Sequence, residues 1–208
     1  MLTFKGFKVE LPYDVIEILD VKIVQSINEH GNLYIKVLIN EGRITEYINR
    51  NYIDDKIIIF NSHNNKIFVG KTSNIHMIYE NGYHSMEISC VSYTKVFDIK
   101  KNSRTFCDLD LSYKDVISET LSSYRKKSFI DNISDGKKIE DFILQYEETD
   151  WQFLKRIATH FNSVLLSDCT EDYGRIYFGL PEIKNGNVLN CDSYEIVKDI
   201  THFNKNEA

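Results

Sequence analysis

The chain has 208 residues, with 25 Lys and Arg against 31 Asp and Glu, a formal net charge of −6. A chain of this length buries roughly 70% of its extended surface, enough for one large domain or two small ones. At 42% hydrophobic and 27% charged residues, the composition is ordinary for a globular protein and argues against disorder, collagen or a disulfide scaffold.

The acidic balance argues against a partner of nucleic-acid phosphates, which would call for clustered Lys and Arg. The short clusters Lys100-Lys101 and Arg125-Lys126-Lys127 read as solvated surface. No apolar run approaches the roughly 18 residues of a spanning helix. The first residues lack the basic and apolar regions of a signal peptide, so the expectation is a chain folded in the bacterial cytoplasm. Cys90, Cys107, Cys169 and Cys191 stand far apart, without metal-ligand spacing, and read as reduced small hydrophobes.

In chain order, the first half reads as strands. Residues 15–25 include the alternation Val21, Ile23, Gln25 against Asp20, Lys22, Val24; a turn at His30-Gly31-Asn32 leads into the β-branched and aromatic run 33–39. Residues 56–60 and 66–70 flank a polar loop, and 75–80 and 83–93 flank Asn81-Gly82, a strong hairpin signal. On the last strand Met86, Ile88 and Cys90 share one face, with Glu87, Ser89 and Val91 on the other. Several short strands joined by turns need to hide their edges, and a small barrel or sandwich does so.

After Asp98 the pattern changes. Ser112 with Asp115 approaches a capping box, and Val116, Ile117, Thr120, Leu121 and Tyr124 make a helical stripe over 112–124. Residues 129–133 read as a short strand, Asp135-Gly136 as a turn, and 139–146 as ambiguous between helix and strand. Thr149-Asp150-Trp151-Gln152 is a full capping box. Trp151, Leu154, Ile157, Ala158 and Phe161 form the apolar stripe of a helix over 150–161, with Trp151 and Leu154 expected against the following hairpin of 164–167 and 175–178. Residues 194–204 alternate like a strand just beginning, which raises the expectation of a piece of a longer chain.

The search for chemistry finds little. There is no Gly-x-Ser-x-Gly elbow and no phosphate loop. His30, His63, His76, His84, His160 and His202 have no local partners. Glu147, Glu148 and Asp150 have the residue types of a glycosidase acid pair, but acids at a helix start also suit the macrodipole. Asp108 and Asp110 likewise precede a helix, and residues 131–136 lack the ligand spacing of a calcium loop. No metal or cofactor is expected. Tyr13, Tyr47, Tyr52, Tyr79 and Tyr83, in or near loops, are the candidates for a carbohydrate surface.

One stretch carries a specific likeness. Gln145-Tyr146-Glu147-Glu148-Thr149-Asp150-Trp151-Gln152-Phe153-Leu154-Lys155-Arg156 resembles the signature Gln-Tyr-x-Glu-(Ser/Thr)-Asp-x-x-Phe-Leu-x-Arg of phage late-control D and VgrG-like baseplate hub proteins. Upstream, Phe68-Val69-Gly70 matches an aromatic-x-Gly. Ser92-Tyr93-Thr94-Lys95-Val96-Phe97-Asp98 resembles Ser-Tyr-x-x-x-Leu-Asp, and Ser103-Arg104-Thr105-Phe106-Cys107-Asp108 resembles Ser-Arg-Thr-Phe-Gln-Asp. The positions that carry the likeness are Gly70, Tyr93, Asp98, Arg104, Phe106, Gln145, Tyr146, Glu148, Asp150, Trp151, Phe153, Leu154 and Arg156, and the resemblance implies a structural role for them rather than catalysis.

That resemblance implies a β-rich α+β architecture: a small β-barrel over 1–98, an α+β insertion over 99–190, and the start of a second barrel or a C-terminal strand over 191–208. It implies a non-enzymatic hub joining tail tube to central spike, with baseplate, tube and spike proteins as partners. Full-length chains would form a homotrimer whose six barrels match a six-fold tube, while this chain alone is expected to associate weakly. The alternatives are a tail-associated peptidoglycan hydrolase and a carbohydrate-binding barrel module.

Overall fold

The alternating run of residues 33–39 forms a strand because Leu33, Ile35, Val37 and Ile39 all point inward and are buried. In the computed structural model, which describes residues 2–4, 6–53, 55–80 and 82–181, seven such strands build one antiparallel sheet. They are β1 (Leu2–Phe4), β2 (Phe7–Glu10), β3 (Val15–Val24), β4 (Asn32–Ile39), β5 (Lys56–Phe60), β6 (Lys66–Glu80) and β7 (Tyr83–Ser92). A short helix α1 (Ile44–Asn49) lies between β4 and β5. The strand order is β1-β2-β5-β6-β7-β4-β3, and the sheet curls into a nearly closed barrel that brings β1 back towards β3.

The barrel interior holds Val9, Leu33, Ile35, Val37, Ile57, Ile59, Phe68, Met86, Ile88 and Cys90. The face read for β7 is correct: Met86, Ile88 and Cys90 are buried, while Glu87, Ser89 and Val91 are only partly covered. The two strands expected at 66–70 and 75–80 are one strand, β6, because a register shift between Thr72 and Asn74 carries the polar run across the ladder with β7. Gly70 sits where no side chain fits. A Cβ there would lie 2.5 Å from the Phe68 ring and 2.8 Å from the Val91 carbonyl oxygen.

After β7 a 3-10 turn, Tyr93–Asp98, leads into the second unit. It contains β8 (Lys101–Phe106), α2 (Tyr113–Thr120), β9 (Lys127–Asp131), β10 (Ile143–Thr149), α3 (Asp150–Thr159), β11 (Leu165–Ser167) and β12 (Gly174–Phe178). β10 pairs antiparallel with β8, and β11-β12-β9 form a second small sheet in which β9 and β12 run parallel. The helices bury Val116, Ile117, Trp151, Phe153, Leu154, Ile157 and Ala158 against Phe97, Phe106, Leu165, Ile176 and Phe178. This is the β-rich α+β class, a barrel followed by an α+β unit.

Both capping boxes form. Ser112 Oγ accepts from the Asp115 amide at 3.2 Å and Thr149 Oγ1 from the Gln152 amide at 3.2 Å, with the reciprocal side-chain bonds at 2.9 and 3.0 Å. α2 stops at Thr120, short of the expected 124, and continues as turns through Leu121-Ser122-Ser123-Tyr124. Serines are weak helix formers, and the Tyr124 hydroxyl is drawn to Asp150 at 2.7 Å. α3 stops at Thr159 rather than 161. The ambiguous segment 139–146 resolves into β10 from Ile143 onward. The strand read at 194–204, like the whole segment 191–208 and with it Cys191 and His202, lies outside the described residues.

Candidate functional site

β8 has an alternation that apolar patterning misses, because its inward residues Asn102 and Arg104 are polar. Opposite Arg104 in the ladder stands Gln145 of β10. Between Gln145 and Glu148 the register slips, with Glu147 held at φ +49°, the left-handed region. The slip sets Asp150 at the start of α3, fully buried beneath both strands.

Asp150 is saturated with donors. Its Oδ1 accepts from Arg104 Nη1 at 2.6 Å, Gln145 Nε2 at 2.8 Å and Asn102 Nδ2 at 3.1 Å. Its Oδ2 accepts from the Tyr124 hydroxyl at 2.7 Å. Burial pushes the carboxyl pKa up, but the hydrogen bonds from Arg104, Gln145 and Tyr124 outweigh it and hold the group below the usual carboxylate range. The same burial, reinforced by Asp150, pushes the Tyr124 phenol up.

A second polar cluster joins the α+β unit to the barrel. The hydroxyls of Ser92, Thr94 and Ser167 form a triangle with edges of 2.9, 2.8 and 2.9 Å, and all three are buried. His30 Nδ1 is hydrogen-bonded to Thr94 Oγ1 at 2.9 Å, and the Gly31 amide donates to Ser92 Oγ at 3.1 Å. Asp98 Oδ2 lies 3.5 Å from His30 Nε2 and accepts from Lys95 at 2.7 Å; Asp98 Oδ1 accepts from the Thr149 hydroxyl at 2.7 Å. Around this cluster, β11 and the loop after it are stitched to the barrel. The Asn28 amide donates to the Leu165 carbonyl at 2.8 Å, the Val69 amide to the Cys169 carbonyl at 2.6 Å, and Gln25 Nε2 to the Ser167 carbonyl at 2.9 Å.

The motif positions thus fall into groups. Arg104, Gln145 and Asp150 meet in one network, and Phe106 stacks on Phe153 with ring centres 5.9 Å apart. Glu148 pairs with Arg156 at 2.5 Å; Arg156 also donates to the Leu144 carbonyl at 2.6 Å and lies over the Phe153 ring. Leu154 is core. Asp98 and Trp151 belong to the joint with the barrel. Gly70 and Tyr93 lie on the barrel side, with the Lys71 ammonium over the Tyr93 ring, and Tyr146 is 71% exposed, apart from the network. Trp151 is buried as expected, but its ring partner is His30, 4.1 Å between centroids, rather than the hairpin alone. Its Nε1 donates to the Asn28 carbonyl at 3.4 Å.

The chain Asp98–His30–Thr94 has the connectivity of a hydrolase relay. Its hydroxyl, however, is fully buried and faces two more hydroxyls, so no substrate reaches it. The Cys169 thiol beside it is pushed up by burial, which disfavours the thiolate. Glu148 and Asp150 are engaged with arginines and do not face each other as an acid pair. Asp131 turns its carboxylate onto the amides of Ile133 and Ser134 and the Ser134 hydroxyl, its own loop rather than a cation. Among the described residues no group of three or more His, Cys, Asp and Glu is placed to hold a metal ion, and no helix is long and apolar enough to cross a membrane. Of the loop tyrosines, Tyr13 and Tyr47 pack edge to face in the barrel core, while Tyr79 and Tyr83 stand exposed at the β6–β7 tip. Cys107 is exposed, unlike the buried Cys90 and Cys169, and so is not the packed hydrophobe expected of it.

The sequence reading gave His30, Asn102, Tyr124 and Ser167 no role in a site: each acts through partners from 26 to 121 residues away. Ser92 and Thr94 lay inside a quoted motif but carried no assigned role.

No family model matches the chain, and no curated protein matches it. Solved structures do. A tail protein from Neisseria meningitidis superposes with a TM-score of 0.59 at 9% identity, over 83% of this chain and 50% of that one. The 43 kDa tail protein of prophage MuSo2 from Shewanella oneidensis gives 0.60 at 14%, over 82% and 54%. An Escherichia coli component of the type VI secretion system, described as similar to the T4 tail proteins gp27 and gp5, gives 0.54 at 9%, over 82% and 48%. The chain therefore has the fold of phage tail and secretion-system proteins, and spans about half the length of these structures.

Proposed function

We propose that this chain is a structural component of a contractile phage tail, prophage or tail-like injection particle, acting in the baseplate hub that joins the tail tube to the central spike. The observation that carries the reading is the coincidence of fold and motif. The barrel-plus-insertion fold is that of tail proteins, and within it the hub-like motif residues Arg104, Gln145 and Asp150 converge on one buried network. Such a network holds a shape; it offers no reacting group to solvent.

In this reading the protein is not an enzyme and carries no cofactor. Its partners are baseplate, tube and spike proteins, and three hub chains bring the barrels that match a six-fold tube. It assembles in the bacterial cytoplasm and leaves as part of the particle. The insertion is the unit of residues 99–190 and the barrel that of 1–98. The outer face of β10 and the residue before it supply a contact surface, since Phe142 just ahead of the strand and Leu144 and Tyr146 on it all stand exposed, and exposed apolar residues grouped together mark interaction sites.

The test is assembly. Phe142→Asp with Tyr146→Asp is expected to leave folding and melting unchanged while particles purified from the producing strain lose the protein or fail to form. Normal particles containing the doubly substituted chain would remove this face from the contact surface, and normal particles without the chain at all would sink the tail reading. Lysis of peptidoglycan in a zymogram that disappears on substituting Glu147, Glu148 or Asp150, in a variant that circular dichroism shows still folded, would move the protein to the hydrolase class.

A further inference from the structure

His30 closes a ring of contacts between the two units. Its imidazole packs against the Trp151 ring of α3, tilted by 39° with centroids 4.1 Å apart. Its Nε2 faces Asp98, which accepts from the Thr149 hydroxyl, and that hydroxyl caps α3 one residue before Asp150 and two before Trp151. On its other side, Nδ1 is bonded to Thr94 and, through the hydroxyl triangle, to Ser167. We propose that His30 is a proton-operated latch: its neutral imidazole holds α3 against the barrel, and protonation loosens that contact.

The geometry leaves an imidazolium poorly served. Only 8% of His30 is exposed, and its Nε2 is buried without a hydrogen-bond partner. The groups facing it are few. On its own loop stands Glu29, which pairs with Lys155 of α3 at 4.0 Å. On the 3-10 turn stand Asp98 and Lys95. On the β11–β12 loop Asp168 pairs with Arg175 instead, at 3.3 Å, and Cys169 holds its proton. An indole face and a carboxylate both attract a cation. The Asp98 Oδ2 that a charged His30 would use is already held by Lys95 at 2.7 Å, however, and the ring is buried. Burial first, then Lys95, lower the His30 pKa to about 4 against the pull of Asp98 and Glu29. A protonated ring gains by turning towards solvent, and in doing so it leaves Trp151.

The sequence contains a single tryptophan, so Trp151 reports the latch directly. Its emission, and the His30 Cε1 proton by NMR, are followed from pH 7.5 to 3.5 on the native chain and on His30→Gln, with far-UV circular dichroism alongside. The expected result is one reversible Trp151 transition with a midpoint between about pH 4 and 5, matching the His30 proton, with the far-UV signal intact and the step absent in H30Q. A His30 midpoint near its ordinary value of about 6.5, a step that persists in H30Q, or a Trp151 change coincident with far-UV loss overturns it. If H30Q does not fold, the native NMR midpoint and its match to Trp151 decide alone.

Discussion

At the residue scale the decisive side chain is Asp150, a carboxylate with no exposure whose stability is lent entirely by its donors. Asp150→Asn keeps the shape but leaves the Arg104 guanidinium, 22% exposed, facing a neutral amide. Breaking one side of a buried pair costs about 3 kcal/mol or more, so urea unfolding is expected to show a loss of that order. The double variant Arg104→Met/Asp150→Asn should lose less than the sum of the single variants. A single-variant loss under about 0.5 kcal/mol, the ordinary range for surface changes, would mean the network holds nothing. The pH dependence separates two sets of groups. Asp98 and Asp150 have lowered pKa values when folded, so their contribution is full above the ordinary carboxylate range and is lost only as pH falls below it. His30 is also lowered, to about 4, but it is a base: the unfolded chain takes up its proton first, and stability falls as pH drops from about 6.5 to about 4. Unfolding free energy should therefore decline by about 2 kcal/mol between pH 7 and 4.5 on account of His30, with His160, also lowered by burial, adding to the same slope. A flat profile over that interval would show that His30 is not held neutral.

At the element scale α3 was the most legible feature, since a capping box and an apolar stripe are local signals and both formed. Its Trp151 is 3% exposed, so Trp151→Ala is expected to cost roughly 3–5 kcal/mol in thermal or urea unfolding. A melting shift of only a degree or two would mean that the ring is not packed. β8 was not legible, because Asn102 and Arg104 occupy its inner face and only the partner Asp150, 46 residues from Arg104, makes sense of them. β1, β2 and α1, of three, four and six residues, are too short for a period to register. β6 was read as two strands because a bulge interrupts alternation without interrupting pairing. The hairpins and the two faces of β7 came through because turn residues and period-two burial are written into neighbouring residues. The joint around His30 did not, since its partners meet only in the folded chain.

At the scale of the molecule, the described residues form two large hydrophobic cores and a small third one of Ile58, Phe60 and Val69, yet the division between the two large ones is not clean. Cys169, from the loop between β11 and β12, is part of the barrel core and lies against Gly31 and Phe68. Its carbonyl takes the Val69 amide, a backbone donor that would otherwise be orphaned. A piece comprising residues 1–98 is therefore expected to be poorly soluble or to melt well below the 208-residue chain, by circular dichroism. A soluble 1–98 with an unchanged melting point would show that the barrel is self-sufficient.

The position of Cys169 also sets an order of events. A chain leaves the ribosome from its first residue onward, and early units commonly fold while later ones are still being made. Here the strands of the barrel emerge first, but the plug for their interior is encoded about 80 residues after the last of them. The nascent barrel must wait, with part of its interior open, until the β11–β12 hairpin has been synthesised and folds back. Of the two units, the one translated earlier is completed after the other, and protection of β4 and β7 from proteolysis on stalled nascent chains should arise only once residue 169 has cleared the exit tunnel.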